Sequence, residues 1–172
     1  MSRHLKIVVT GPFNAGKSQL IKTISEIDVV STERKITHRD KGSKRLTTVA
    51  MDYGRVTLGD DTLHLHGTPG QARFDFMWDI LMQEMHGFVL VVDSCAEESF
   101  EEARGLIGLF NAGKRVPYLI AANKQDLDCA LAADKLRRSL KLGADILIMP
   151  CTASRKTSVK QVLSQLTSEI PY

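Results

Sequence analysis

The stretch Gly11-Pro12-Phe13-Asn14-Ala15-Gly16-Lys17-Ser18 constrains this chain more than any other. It follows Leu5 to Val9, a short apolar run rich in Ile and Val. It precedes Gln19 to Ile24, whose apolar positions recur at helical spacing. The order is strand, loop, helix, with G-x-x-x-x-G-K-S in the loop, and that combination suits a phosphate tail. Glycines let main-chain N–H groups approach an anion closely. The helix turns its unsatisfied N–H groups and positive dipole end toward it. Lys17 supplies a point charge to the β- and γ-phosphates, and the Ser18 hydroxyl can ligate Mg²⁺. Gly11, Asn14, Ala15, Gly16, Lys17, Ser18 and Gln19 are therefore the candidate phosphate-contacting residues. The plainer alternative is a glycine-containing turn before a helix; the flanking strand and helix favour the phosphate site.

The remaining chain bounds the class. A length of 172 residues, 43% hydrophobic and 25% charged, is that of one ordinary globular domain. A net charge of +3 is mild and argues neither for nor against nucleic acid, which calls for a clustered basic face; no nucleic-acid partner is expected. Cys95, Cys129 and Cys151 are odd in number, widely spaced and form no C-x-x-C, so neither a disulfide framework nor a zinc site is expected. A reducing, cytoplasmic setting fits that usage. Leu5 to Val9 is too short for a signal peptide, and no run reaches membrane-spanning length. Ser2 and the ending Ile170-Pro171-Tyr172 fit no acylation or prenylation motif, so no covalent membrane anchor is expected.

After the first helix, residues 31–48 lack apolar periodicity and read as a long loop, basic through Arg34, Lys35, Arg39, Lys41, Lys44 and Arg45. Val49 to Leu58 and Thr62 to His66 alternate as strands across Gly59-Asp60-Asp61, a hairpin signal. His64 and His66 share the less buried face there, without a third ligand that would make a metal site. Gly67-Thr68-Pro69-Gly70-Gln71 ends that strand, and a helical stretch from about Phe74 to Met85 follows. Buried strands are expected over Gly87 to Val92, Pro117 to Ala122 and Asp145 to Met149. Helices are expected over residues 98–111, Leu131 to Leu142 and Val159 to Ile170, the last with Ser158 as an N-cap. Continuous apolar strands alternating with helices mean an α/β fold. Its three layers hold a mostly parallel six-stranded sheet with one antiparallel strand and helices on both faces. Ligands of such sheets bind at the strands' carboxyl ends, where Gly11–Ser18, Gly67–Gln71, Asn123–Asp126 and Cys151–Ser154 all fall.

Asn123-Lys124-Gln125-Asp126 follows a buried strand. With the phosphate loop upstream, it makes the whole chain resemble the Ras-like small GTPases, and the P-loop NTPase fold follows from that resemblance. In that family N-K-x-D reads guanine. A carboxylate such as Asp126 accepts both N1–H and the exocyclic amine of guanine, and adenine would leave it unpaired. The resemblance implies that Asn123 ties this loop to the phosphate loop and that Lys124 packs along the base. It also implies that the backbone N–H of Ala153, in Thr152-Ala153-Ser154, meets the base oxygen. Thr47-Thr48-Val49-Ala50-Met51-Asp52-Tyr53 looks like the end of switch I, in a Thr-x-x-x-Asp-aromatic register similar to the Rab branch. That register makes Thr48 the residue for Mg²⁺ and γ-phosphate, with Thr47 as fallback and a pair of β-branched strand starters as the bland alternative. Gly67 to Gln71 resembles switch II, usually D-x-x-G-Q. There Gly70 would sense the γ-phosphate through its N–H, and Gln71 would orient the attacking water.

Two residues depart from the family pattern. Gly67 stands where the family carries the aspartate that holds the Mg²⁺ water shell, with Asp52 and Asp93 as candidate substitutes. Phe13 stands where many members have glycine, which implies slow intrinsic hydrolysis or a rearranged catalytic geometry. The G-T-P-G-Q variant looks like bacterial and archaeal small GTPases, conservon-type and, more distantly, gliding and polarity types. Some of those place an arginine just before the switch I threonine. Arg45 stands near that position, as a candidate catalytic residue or a solvated loop charge.

The resemblance therefore implies a small GTPase domain over residues 1–172 that binds GTP and GDP with Mg²⁺. Gln71, Arg45 and Lys17 are its candidate catalytic residues, and Ser18 and Thr48 its candidate metal ligands. Gly70, Asn123, Lys124, Asp126, Thr152 and Ala153 complete the nucleotide set. Effectors and regulators would dock on the switches and the stripe Phe74, Phe76, Met77 and Trp78, with a Roadblock-type protein as candidate activator. A nucleotide-binding scaffold with negligible turnover is the alternative from another class. A small P-loop kinase is the third, though it has no use for Asn123–Asp126.

Overall fold

The structure is a computed structural model that describes residues 1–40, 43–69 and 80–172, with the side chains of residues 32–50 outside the description. The strands are β1 (His4–Thr10), β2 (Val30–Asp40), β3 (Ser43–Leu58), β4 (Asp61–Gly67), β5 (Gly87–Asp93), β6 (Tyr118–Asn123) and β7 (Ile148–Pro150). The helices are α1 (Lys17–Ile24), α2 (Phe100–Asn111), α3 (Ala133–Ser139) and α4 (Lys156–Glu169), with a 3₁₀ turn at Glu97–Ser99 ahead of α2. The strands form one sheet in the order β2-β3-β4-β1-β5-β6-β7.

Period-two alternation in β1 sorts the core into two layers. Ile7 and Val9 face a cluster with Leu20, Ile21 and Ile24 of α1 and Val159, Val162, Leu163 and Leu166 of α4. Val8 points the other way, toward Phe100, Ala103, Leu106 and Phe110 of α2 and Leu136 of α3. β5 is buried at all seven positions, because it lies mid-sheet with helices on both faces. β4 alternates instead, with His64 and His66 on its half-buried side. There His64 Nδ1 meets the Tyr53 hydroxyl at 2.7 Å and its Nε2 meets His4 Nδ1 at 3.2 Å. Among the described residues no group of three or more His, Cys, Asp and Glu side chains could hold a metal ion, and no helix is long and apolar enough to cross a membrane.

β1 runs parallel to β4 and β5, β5 to β6, and β6 to β7. β3 alone runs against its neighbours, β2 and β4. This is the α/β sheet expected from the sequence, with one strand more. The seventh is β2. Residues 31–48, expected as a loop, pair instead as a hairpin from Val30–Tyr53 to Asp40–Ser43. β2 is an edge strand, and its charges suit an edge better than a loop: edges carry charge to block pairing with other chains. The expected helix from Phe74 to Met85 falls mostly outside the described residues; Ile80 to Met82 are helical.

Two further expectations are corrected. Cys95 and Cys129 form a disulfide, with Cα atoms 5.1 Å apart, because the loops after β5 and β6 lie side by side; Cys151 is free and buried. Ser158 does not cap α4, whose N-cap is Arg155. The Ser158 hydroxyl instead accepts a hydrogen bond from the Thr152 N–H at 2.9 Å.

Candidate functional site

The carboxyl ends of β1, β4, β6 and β7 converge on two adjoining clefts. The first, of about 290 Å³, is lined by Phe13 to Gln19, Asp52, Gly67, Thr68 and Pro69. The second, of about 180 Å³, is lined by Gln19, Asn123, Lys124, Asp126, Leu127 and Thr152 to Ser154. Gln19 borders both. A larger hollow of about 580 Å³ opens between Met85, Phe110 and Val116, before β5 and β6 begin, so it lies at the opposite edge of the sheet.

In the first cleft the backbone conformation explains the glycines. Gly11 has φ 151°, and a Cβ on it would collide with the Val91 carbonyl. Gly16 has φ 108°, and a Cβ there would collide with the Asn123 amide. Asn14 takes φ 62°, which Asn tolerates better than most side chains. Gly16 is also the N-cap of α1, and no side chain caps that end. Its N–H groups are thus left for an anion.

Lys17 is buried, and its ammonium donates to the carbonyls of Gly11 at 2.7 Å and Pro12 at 2.8 Å. Burial pushes its pKa down to about 8, against the attraction of Glu102 and Asp52. An ammonium this desolvated gains from an anion placed before it. Ser18 lines the same cleft, as a Mg²⁺-binding hydroxyl must. The donor set, the capless helix and the lysine therefore fit a phosphate tail with Mg²⁺. Phe13 stands at the mouth, 62% exposed. Behind it, Thr68 Oγ1 donates to Thr10 Oγ1 at 2.9 Å, and the Thr68 N–H donates to the Val9 carbonyl at 3.0 Å. These two bonds seat the start of the Gly67–Gln71 segment on β1.

The second cleft is held by side chains that bond one another. Asn123 Nδ2 donates to the Ala15 carbonyl at 2.8 Å, and its Oδ1 accepts from the Ala153 N–H at 2.9 Å. One buried amide thus joins the phosphate loop, the β6 loop and the β7 loop. The first bond matches the tie expected of Asn123. The second holds the Ala153 N–H at the wall of the cleft. Lys124 takes φ 65°, and its ammonium meets Asp93 Oδ2 at 2.6 Å. Asp93 Oδ1 accepts from the Cys95 N–H at 2.9 Å. Gln125 donates to Ser94 Oγ at 2.9 Å and the Leu131 carbonyl at 3.0 Å. Asp126 lines the cleft, and Thr152 and Ala153 close it from the β7 side.

Sequence reasoning missed Asp93 as the partner of Lys124, and Gln125 and Ser94 as the brace of the β6 loop. An aspartate ending a buried strand was the available signal for the first. The second had none beyond strand adjacency. Gly70, Gln71, Phe74, Phe76, Met77 and Trp78 lie outside the described residues, as do the side chains of Arg45, Thr47 and Thr48. The backbone of Arg45 pairs with His38 and that of Thr48 with Lys35, so both sit on a strand and not in a loop.

Comparison with known proteins agrees with this architecture. The model of the ADP-ribosylation factor (Arf) family matches residues 1–170. An uncharacterized protein of Methanocaldococcus jannaschii is 33% identical over 123 residues, 72% of this chain and 71% of that one. The human ADP-ribosylation factor-related protein 1 is 28% identical over 167 residues, 90% of this chain and 79% of that one. The mutual gliding-motility protein MglA of Myxococcus xanthus is 30% identical over 149 residues, 78% of this chain and 74% of that one. Among solved structures, the Arl6 small GTPase of Trypanosoma brucei, with a bound GppNp, superposes with a TM-score of 0.72 over 96% of both chains at 20% identity, a likeness of fold. With a phosphate loop opening α1, an N-K-x-D loop after β6 and this family match across the chain, the protein belongs to the Arf family of small GTPases, guanine-nucleotide-binding switches that hydrolyse GTP.

Proposed function

We propose that the two clefts are one nucleotide site, with the phosphates over α1 and the guanine between Lys124, Asp126 and the β7 loop. The observation that carries this reading is the Asn123 amide, which bonds Ala15 on the phosphate side and Ala153 on the base side. A group that fixes both loops fixes the distance between phosphate and base.

The roles follow from the chemistry. Gly11, Asn14, Ala15 and Gly16 wrap the phosphates with backbone N–H groups, and Gln19 lines both clefts beneath the nucleoside. Lys17 turns from the Gly11 and Pro12 carbonyls to the β/γ-phosphates. Ser18 and Thr48 would hold Mg²⁺, which when bound would supply charge neutralisation at the phosphates. Asp126 accepts from guanine, Lys124 packs its stem on the base, and Thr152 and Ala153 shape the far wall. Gly70 senses the γ-phosphate, Gln71 orients the attacking water, and Arg45 is the candidate arginine in cis. Residues 1–172 act as one G domain. Phe13 crowds the γ-phosphate, so unaided hydrolysis is slow and depends on a partner at the switches, with a Roadblock-type protein the candidate.

Single-turnover hydrolysis of GTP tests the reading. Mg²⁺-dependent turnover that Gln71→Ala abolishes is the expected result. GTP held for hours without hydrolysis, even with Mg²⁺ and a Roadblock-type protein, would contradict it and favour a scaffold.

A further inference from the structure

Gly67 leaves the site without an acid at the end of β4, and the fold brings one in from the neighbouring strand. A Cβ built on Gly67 would lie 3.4 Å from the Asp52 Cβ and 3.1 Å from Ile21 Cδ1. Thus the side chain nearest the space an aspartate at 67 would need, apart from Ile21, is itself an aspartate. The register explains this: Tyr53 pairs with His66, and Asp52 and Gly67 are the next step along the same strands. Asp52 lines the phosphate cleft with Lys17, Ser18 and Thr68. Its charge acts on Lys17, opposing the effect of burial on that ammonium. Its Oδ1 accepts from the Ser31 hydroxyl of β2 at 2.6 Å, the one hydrogen bond found for it among the described residues. Asp93, the other candidate substitute, is engaged by Lys124 and the Cys95 N–H on the base side and has no place in this cleft.

Mg²⁺ demands octahedral oxygen coordination, keeps several waters, and is held by one or two carboxylates together with substrate phosphates. The described residues offer no ready-made cluster of acidic ligands, so phosphate oxygens and waters must fill most of the shell. We propose that Asp52, presented by β3 and oriented by Ser31, is the carboxylate that holds the Mg²⁺ water shell of this chain in place of the residue missing at Gly67. This assignment rests on the nucleotide site proposed above. It has a consequence for switching: Asp52 lies on β3 and is braced by Ser31 of β2, so movement of that hairpin would displace the metal's acid.

The test is release of a fluorescent GDP in the presence of Mg²⁺ or of EDTA, for the full chain. In the wild type, Mg²⁺ should slow release by roughly 5–150-fold, the usual range of coupling between two ligands. Asp52→Asn should abolish most of that slowing, bringing the ratio of release in EDTA to release in Mg²⁺ close to one. Asp52→Glu should keep it, shifted to higher Mg²⁺. Asp52→Asn combined with Gly67→Asp should restore it, because the acid returns to the same water shell from β4. Wild-type Mg²⁺ slowing in Asp52→Asn overturns the assignment. So does faster release in Mg²⁺ and EDTA alike, which marks a purely structural residue. A wild type that binds GDP but ignores Mg²⁺ also overturns it, yet leaves the guanine site standing. A wild type that binds no GDP overturns the site and the assignment together.

Discussion

The base cleft and the phosphate cleft share a wall but are built on opposite plans. On the base side the polar groups are already committed to protein partners. Asn123 bonds Ala15 and Ala153, Lys124 pairs with Asp93, and Gln125 bonds Ser94 and Leu131. The disulfide between Cys95 and Cys129 further ties the loop after Asp93 to the loop after Asp126. On the phosphate side the central cation rests on two loop carbonyls, and the helix end has no side-chain cap. The contrast teaches that recognition of the base is preset, whereas the phosphates must be met by groups that exchange partners. A switch needs both: one end that holds the ligand in either state and one end that responds to its γ-phosphate.

Substitution of Asn123 should break the contrast most severely. Asn123→Ala leaves the Ala15 carbonyl and the Ala153 N–H buried without their partner. Denaturant unfolding should show a loss of roughly 2–4 kcal/mol, and nucleotide binding should fall with it. Lys17→Ala should separate the two clefts instead. It removes a desolvated cation, which offsets the loss of its bonds to the Gly11 and Pro12 carbonyls, and Pro12 keeps the Ala15 N–H as a donor, so stability should fall by only about 1 kcal/mol. Affinity for GTP should still drop by about a hundredfold or more, because charge-assisted bonds to phosphate are lost. Equal losses of stability in the two variants would erase the distinction.

Reduction of the disulfide should act on the base side alone. Bridging residues 34 apart in sequence contributes roughly 2–4 kcal/mol by restricting the unfolded chain. Thermal melts with and without reductant should reveal that difference, while the Mg²⁺ dependence of nucleotide release stays as it was. The smallest effect concerns pH. The Lys17 pKa near 8 belongs to the ligand-free protein. Phosphates in front of the ammonium raise it, so binding takes up a proton once the pH exceeds about 8. Affinity should be flat below that value and fall above it, by no more than about tenfold per pH unit. Calorimetric titration in two buffers of different ionisation heat would detect the uptake, and Lys17→Ala should abolish it.

The parts read from sequence are those where one local cause decides the structure. β1, β5 and β6 are continuous apolar runs because both faces of the sheet are covered. The phosphate loop announces itself through glycines that Val91 and Asn123 leave no room to replace. What escaped is set by partners remote in sequence. β2 carries Glu33, Arg34, Lys35 and Arg39 with little apolar alternation, and its strand form comes from pairing with β3 at the sheet's edge. Nothing in the spacing of Cys95 and Cys129 signals that their loops are adjacent. The hydroxyl of Ser158 was assigned by position to a helix cap, yet it is taken by the Thr152 N–H. Gly67 shows the converse: the departure was visible in the sequence, and the nearness of Asp52 only in the structure.

The central claim is that the base cleft is preset for guanine while the phosphate cleft is not selective. Competition of GTP, ATP and inorganic triphosphate against a bound fluorescent GDP, measured on wild type and on Asp126→Ala, tests it most directly. GTP should displace the probe at concentrations about 10⁴-fold or more below ATP, since adenine strands the Asp126 carboxylate. In Asp126→Ala the gap between GTP and ATP should narrow, with triphosphate competing as before. ATP displacing the probe as well as GTP from the wild-type protein would contradict the account.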